Sequence, residues 1–189
     1  MFLSPDTSCQ SLSISAPSGK YRLFLDDNDR GIELDPCQYN LYLPAGTQLS
    51  RVQHDIIIDR VLTFYAPWCL RLHPYFLLRD MYAALHLQRG GNALVTTHYS
   101  AMLHNAILAL GLAFADDPKL RRHEFRAIFA QEAKKYVEID GIRPTLATVQ
   151  AFAILANFHS GLGQQGLGFM YMGMENHWPN AQLSLLLVK

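Results

Sequence analysis

Ser100-Ala101-Met102-Leu103-His104-Asn105-Ala106-Ile107-Leu108-Ala109-Leu110-Gly111-Leu112-Ala113-Phe114-Ala115 is apolar on nearly every side when wound as a helix. Leu103, Ile107, Leu110 and Phe114 fall one way, and Ala106, Ala109 and Ala113 the other. A surface helix keeps a polar face, so a helix without one belongs in the middle of a bundle. The stretch ends at Asp116-Asp117-Pro118. There Asp117 can accept from the free N–H groups of a following turn, and Pro118 suits the first helical position. A stop with an immediate restart implies a second helix joined by a short connection.

That next helix is predicted from Pro118 to about Ile139, burying Phe125, Ile128, Phe129, Ala133 and Tyr136, exposing Arg121, Arg122 and Lys134, and closed by Gly141. Pro144 and Thr145 open another, with Thr145 as N-cap and Leu146, Val149, Phe152, Ala153 and Ala156 on its buried side. Gly161 to Gly166 reads as a loop, and Leu167 to Met174 starts a sixth helix. Upstream, Ile57, Ile58, Val61, Leu62 and Tyr65 make an apolar stripe over 51–65, which Pro67 is expected to end. Pro74 begins a helix carrying Leu77, Met81, Ala84 and Leu85, stopped at Arg89-Gly90-Gly91-Asn92. The expected fold is all-α: a bundle-like partial domain of about six helices with short connections.

Residues 1–45 differ. Ser4, Ser8, Ser11, Ser13, Ser15 and Ser18 alternate with Pro5, Pro17 and Gly19, a mixture that cannot build a core. This stretch is expected to be a mostly disordered lead-in, with the apolar patch Tyr21 to Leu25 docking locally. Across the whole chain charged residues are 17%, against roughly 25% in soluble domains, and hydrophobic residues are 50%, so wholesale disorder is excluded. Net charge is zero, so no global field draws the chain to nucleic acid or an anionic membrane. The longest apolar run, Ala106 to Ala115, is about half of the roughly 18 residues a membrane span needs. The opening Met1-Phe2-Leu3-Ser4-Pro5-Asp6 has neither a basic region nor an apolar one, so secretion is not expected. Cys9, Cys37 and Cys69 are scattered, which suits free thiols and gives no zinc framework.

Several local patterns imitate active chemistry and fail on context. Gly161-Leu162-Gly163-Gln164-Gln165-Gly166 spells a dinucleotide-binding turn, but the preceding run is helical in period and no acid follows at the ribose distance. Asp26-Asp27-Asn28-Asp29-Arg30-Gly31 begins like a calcium loop, yet Arg30 stands where an oxygen ligand is required. His123-Glu124 lacks a second histidine at helical spacing. His98 and His104 fall on different faces, and His73, His86, His159 and His177 have no ligand-forming neighbours. Lys119, Arg121, Arg122 and His123 form a small basic patch of the kind a solvated helix start carries. No G-x-S-x-G elbow is present. Met81, Met102, Met170, Met172 and Met174 lie among aromatics at helical spacing, which core packing explains, with a lining for an apolar effector as the sharper alternative. The residues thus give no catalytic, cofactor-binding or metal-binding site, leaving Asp117, Pro118, Pro144 and Thr145 as structural caps.

Three stretches in order carry a family likeness. His104 to Pro118, Arg143-Pro144-Thr145-Leu146-Ala147-Thr148-Val149-Gln150-Ala151, and Gly166-Leu167-Gly168-Phe169-Met170-Tyr171-Met172-Gly173-Met174 resemble successive helices of the fungal-specific transcription factor domain. Asp59 to Tyr65 and His73 to Met81 are similar to its first two. The likeness covers about 51–174 and is to the middle homology region of zinc binuclear cluster regulators, of the xylanolytic-activator type. It implies a nuclear regulator of DNA-templated transcription, with DNA binding and zinc supplied by a separate cysteine cluster. That cluster is absent from this chain, so the chain is read as the N-terminal part of the regulatory domain, with no catalytic activity or cofactor of its own. A protein partner or a homodimer is expected, and a membrane is not. Glu175-Asn176-His177-Trp178-Pro179-Asn180 breaks the family pattern, so 175–189 is a non-family tail, expected to be a translated intron or shifted frame rather than a lineage-specific extension. The rival readings are a small helical enzyme or ligand-binding protein using the Met/aromatic cluster, and a standalone interaction protein that competes with a full-length relative for dimerisation.

Overall fold

The computed structural model describes residues 21–24, 31–34, 39–69, 72–87 and 96–174. The chain divides into two units, Met1–Cys37 and Gln38–Lys189. In the first, β1 (Tyr21–Phe24) pairs antiparallel with β2 (Gly31–Leu34), Tyr21 opposite Leu34 and Phe24 opposite Gly31. The sequence reading does not anticipate these strands, although Tyr, Leu, Phe and Ile are the residue types that favour them. The second unit begins inside the expected lead-in: Tyr42 is buried, and the Tyr39 hydroxyl donates to the Leu49 carbonyl at 2.9 Å.

Helix α1 (Arg51–Arg60) starts at a capping box, in which Ser50 Oγ accepts from the Gln53 N–H and Gln53 Oε1 accepts from the Ser50 N–H. Its stripe runs on through a π-helical turn, Val61–Tyr65, where the Ala66 N–H reaches back to the Val61 carbonyl. Pro67 does not end the helix as expected; it lies within α2 (Ala66–Cys69). The π turn restarts the ladder, and proline's missing N–H is tolerated in a first helical turn. Helix α3 (Pro74–Leu87) begins at its proline and buries Leu77, Met81, Ala84 and Leu85.

Helix α4 (Ala101–Gly111) is capped by Ser100, whose Oγ accepts from the Leu103 N–H, and a short 3-10 turn, Leu112–Phe114, closes it. All 11 of its residues are buried. It lies against α1 and against α6 and α8, described next. At Gly111 it meets α1 so closely that a Cβ would stand 2.8 Å from Ile57 Cγ2 and closer still to Val61 Cγ2.

The single helix expected over 118–139 is three: α5 (Pro118–Arg121), α6 (His123–Lys134) and α7 (Val137–Ile142). Arg122 is extended, with ψ 138°. At about 100° per residue, Leu120 and Phe129 would face opposite ways on one helix. The break at Arg122 lets both be buried. Ile128 is exposed and Lys134 half-buried, the reverse of expectation, and Gly141 lies inside α7 rather than closing a helix. Helix α8 (Leu146–Gly161) buries Phe152, Ala153 and Ala156 but leaves Leu146 exposed. After a turn through Gly163 at φ +75°, residues 165–174 form α9. Gly168 lies so near α8 that a Cβ there would collide with Ser160 Oγ.

Candidate functional site

The polar chemistry of the bundle is concentrated where α1 crosses the first turns of α4. His54 lies on the same side of α1 as Ile57 and Ile58 and is buried; His104 is buried on α4. Their Nε2 atoms are 2.7 Å apart. His54 Nδ1 is 2.7 Å from Asp55 Oδ1, and Arg51 Nε donates to Asp55 Oδ2 at 3.1 Å. At the other end, His104 Nδ1 is 3.0 Å from the Tyr99 hydroxyl. The Tyr39 ring packs on His54 at 5.3 Å. Burial, with His54 beside it, pulls the His104 imidazole well below its usual range, because a charge on its ring would be desolvated.

Two more buried groups sit at the same end of α4. Asn105 Nδ2 donates to the Tyr42 and Ala101 carbonyls. Asp140, on α7, has its carboxyl pushed up by burial, against the opposing effect of a hydrogen bond with Ser100. Together these make a carboxylate–imidazole–imidazole–phenol chain closed off from solvent. General acid–base groups need a place for a reacting atom within about 3 Å, and here all four ring nitrogens are spent on each other, on Asp55 and on Tyr99. The His54–His104 contact joins α1 to α4.

The residues singled out in the sequence do not converge. Asp117 Oδ1 accepts from the Lys119 N–H at 2.8 Å with Pro118 at the head of α5, and Thr145, just after Pro144, heads α8, its N–H donating to Thr148 Oγ1 at 3.1 Å. These caps stand at different helix starts. The loop expected over Gly161 to Gly166 is shorter, 162–164, since Gly161 ends α8 and Gly166 lies in α9. His98 and His73 both lie against Phe76, His123 is beside Glu124 on the surface, and His159 is stacked on Tyr171 with Nδ1 2.6 Å from Gln164 Oε1. Arg121, Arg122 and His123 are exposed at the α5–α6 break. Met81 and Met102 are core, whereas Met170 and Met172 are exposed. A cavity of about 170 Å³ beside α1 is floored by Ile56, Ile57, Ala115 and Leu120, without a methionine or aromatic ring. Cys9, Cys37, most of the Asp26–Gly31 turn and His177 lie outside the described residues, as do the side chains of Cys69 and His86. Among the described residues, no group of three or more His, Cys, Asp or Glu could hold a metal ion, and no helix is long and apolar enough to cross a membrane.

His54, Asp55, Arg51 and Tyr99 escape sequence reasoning. The available signal is a histidine three and four residues before Ile57 and Ile58, on a stripe that is otherwise apolar.

The fungal specific transcription factor domain matches residues 61–175, more than half of the chain, from the π turn through α9. The chain belongs to this family. Within it, the nitrogen assimilation transcription factor nirA of Emericella nidulans is 29% identical over 127 residues, covering 63% of this chain and 14% of nirA. The nitrogen assimilation transcription factor nit-4 of Neurospora crassa is 28% identical over 156 residues, covering 75% of this chain and 14% of nit-4. The chain therefore spans about one seventh of either relative's length. No solved structure matches it. From Gln38 onward the described residues are all-α, a fungal transcription factor regulatory domain matched from just after α1.

Proposed function

We propose that the chain is a non-catalytic regulatory module of a nuclear fungal transcription factor, tuning transcription through contacts made by its helical surface. The observation that carries this is the family match, which runs through α4 and through α6 and α8 packed against it. Sequence-specific DNA contact belongs to a zinc binuclear cluster elsewhere in a full-length protein. The residues here do not fit such a cluster, since the chain has 3 scattered cysteines. Its net charge is zero, and phosphate contacts supply much of the affinity of any DNA reader. The partner is a protein, or a second copy of the domain, docked through apolar surface left on the outer helices.

The test joins the full chain to an unrelated DNA-binding domain and activation domain and reads a reporter. The chain is expected to change output several-fold, and Leu108→Asp, which puts a charge into α4, should abolish the change. A reporter indifferent to both would overturn the regulatory reading. Separately, a mobility-shift titration of the chain alone should show no sequence preference; submicromolar, sequence-dependent binding at physiological salt would overturn the assignment of DNA contact to another segment.

A further inference from the structure

The geometry points to a proton-metered latch: the Asp55–His54–His104–Tyr99 chain holds α1 on α4 with no added proton or with one, and a second proton releases it. Asp55 accepts from Arg51 Nε and from His54 Nδ1, so His54 Nδ1 carries hydrogen whenever the latch is closed. The 2.7 Å gap between the two Nε2 atoms holds a single hydrogen. If His104 supplies it, both rings are neutral, and His104 Nδ1 accepts from the Tyr99 hydroxyl. If His54 supplies it, His54 is an imidazolium beside the Asp55 carboxylate, and His104 Nδ1–H donates to the Tyr99 oxygen 3.0 Å away. The two arrangements differ by one proton and share every hydrogen bond. A further proton would set N–H against N–H and place two cations in contact out of water. It can enter only if the rings part.

The neighbours from each element fit this count. Helix α1 supplies Arg51 and Asp55, the segment before α1 supplies the Tyr39 ring, and the segment before α4 supplies Tyr99. From the elements on the other sides of α4, Asp140 of α7 is engaged in a hydrogen bond with Ser100, Arg126 of α6 donates to the Ala109 carbonyl near the far end of α4, and Lys134 acts on His159. Among the described residues, the charge that bears on His104 is that of His54. All four ring nitrogens are engaged within the chain itself.

The sign follows from the depressed His104. An unfolded histidine titrates at about 6.5, so with His104 held lower in the fold the unfolded state binds more protons below that pH, and stability falls as pH falls. Each proton of difference is worth about tenfold in the unfolding constant per pH unit. The test follows urea unfolding of the full chain from pH 7.5 to 5, with the double variant His54→Gln/His104→Gln as reference. An excess slope approaching about tenfold per unit is expected, from one proton held and one refused. A slope near zero means that the native pair takes both protons, and about a hundredfold means that it refuses both; either overturns the metering. If the variant does not fold, nitrogen NMR of the wild-type rings decides: one imidazolium in the folded state is expected, and two overturn the proposal. Hydrogen exchange tests the release itself. Amides of α1 should lose protection at higher pH than those of α8, and simultaneous loss overturns a latch.

Discussion

Helices α4 and α9 are both apolar almost all the way round, yet one is covered completely and the other is not. Every residue of α4 is buried among α1, α6 and α8. Helix α9 turns Gly168 and Tyr171 inward, the latter stacked on Phe152 and His159, and leaves Leu167, Met170 and Met172 outside, with Phe169 at 70% exposure. An apolar surround therefore states what a helix requires, and its neighbours decide whether it gets it. The contrast also runs the other way: the enclosed helix contains the buried histidine, asparagine and serine cap, because a group sealed from water must find its partners inside.

The largest effect that separates the two helices is loss of volume. Leu108→Ala on α4, at 0% exposure, should cost about 2–5 kcal/mol, through lost transfer energy and an unfilled cavity. Met170→Ala on α9 should stay within about 0.5 kcal/mol. Urea unfolding followed by circular dichroism checks both, and equal costs would break the comparison.

Glycines give the next largest difference. Gly111→Ala pushes a methyl into Val61 and Ile57 where α1 crosses, and should cost about 1–3 kcal/mol by overpacking. Gly173→Ala on α9 meets nothing within 4 Å and should gain up to about 1 kcal/mol from helix propensity. Thermal melts of the two variants should move in opposite directions.

Helix α8 covers both α4 and α9, so its cap bears on each. Thr145→Ala removes the side chain paired with Thr148 and should cost about 1 kcal/mol. Hydrogen exchange should show the loosening first at Leu146–Val149, and a uniform loss across α4 would mean that the cap has a wider role.

Much of this was written locally. The apolar surround of α4, the prolines heading α3 and α5, and Ser100, Asp117 and Thr145 at helix starts are signals within a few residues of what they specify. Pro67 misleads because the π turn before it changes the hydrogen-bond register, which no periodicity records. The break at Arg122 follows from the need to bury Leu120 and Phe129 together, a demand set by the core rather than by the segment. The same reason hides the His54–His104 contact. Its partners are 50 residues apart, and each alone reads as a lone polar residue on an apolar face.

The smallest effect on folding should accompany a large one on association. A contiguous exposed apolar face drives self-association, and on α9 Phe169, with Met170 and Met172, presents such a face. Phe169→Glu removes the most exposed ring of α9 from water without touching Gly168 or Tyr171, the residues that seat the helix. Its cost to stability should stay within about 0.5 kcal/mol. Sedimentation of the full chain should show concentration-dependent association, reduced by Phe169→Glu, while Leu108→Ala should lower stability without that selective relief. If Phe169→Glu unfolds the chain, α9 is already enclosed like α4. If association persists unchanged in a folded variant, the open face lies on another helix, with Ile139 and Ile142 of α7, at 62% and 80% exposure, the next surface to mutate.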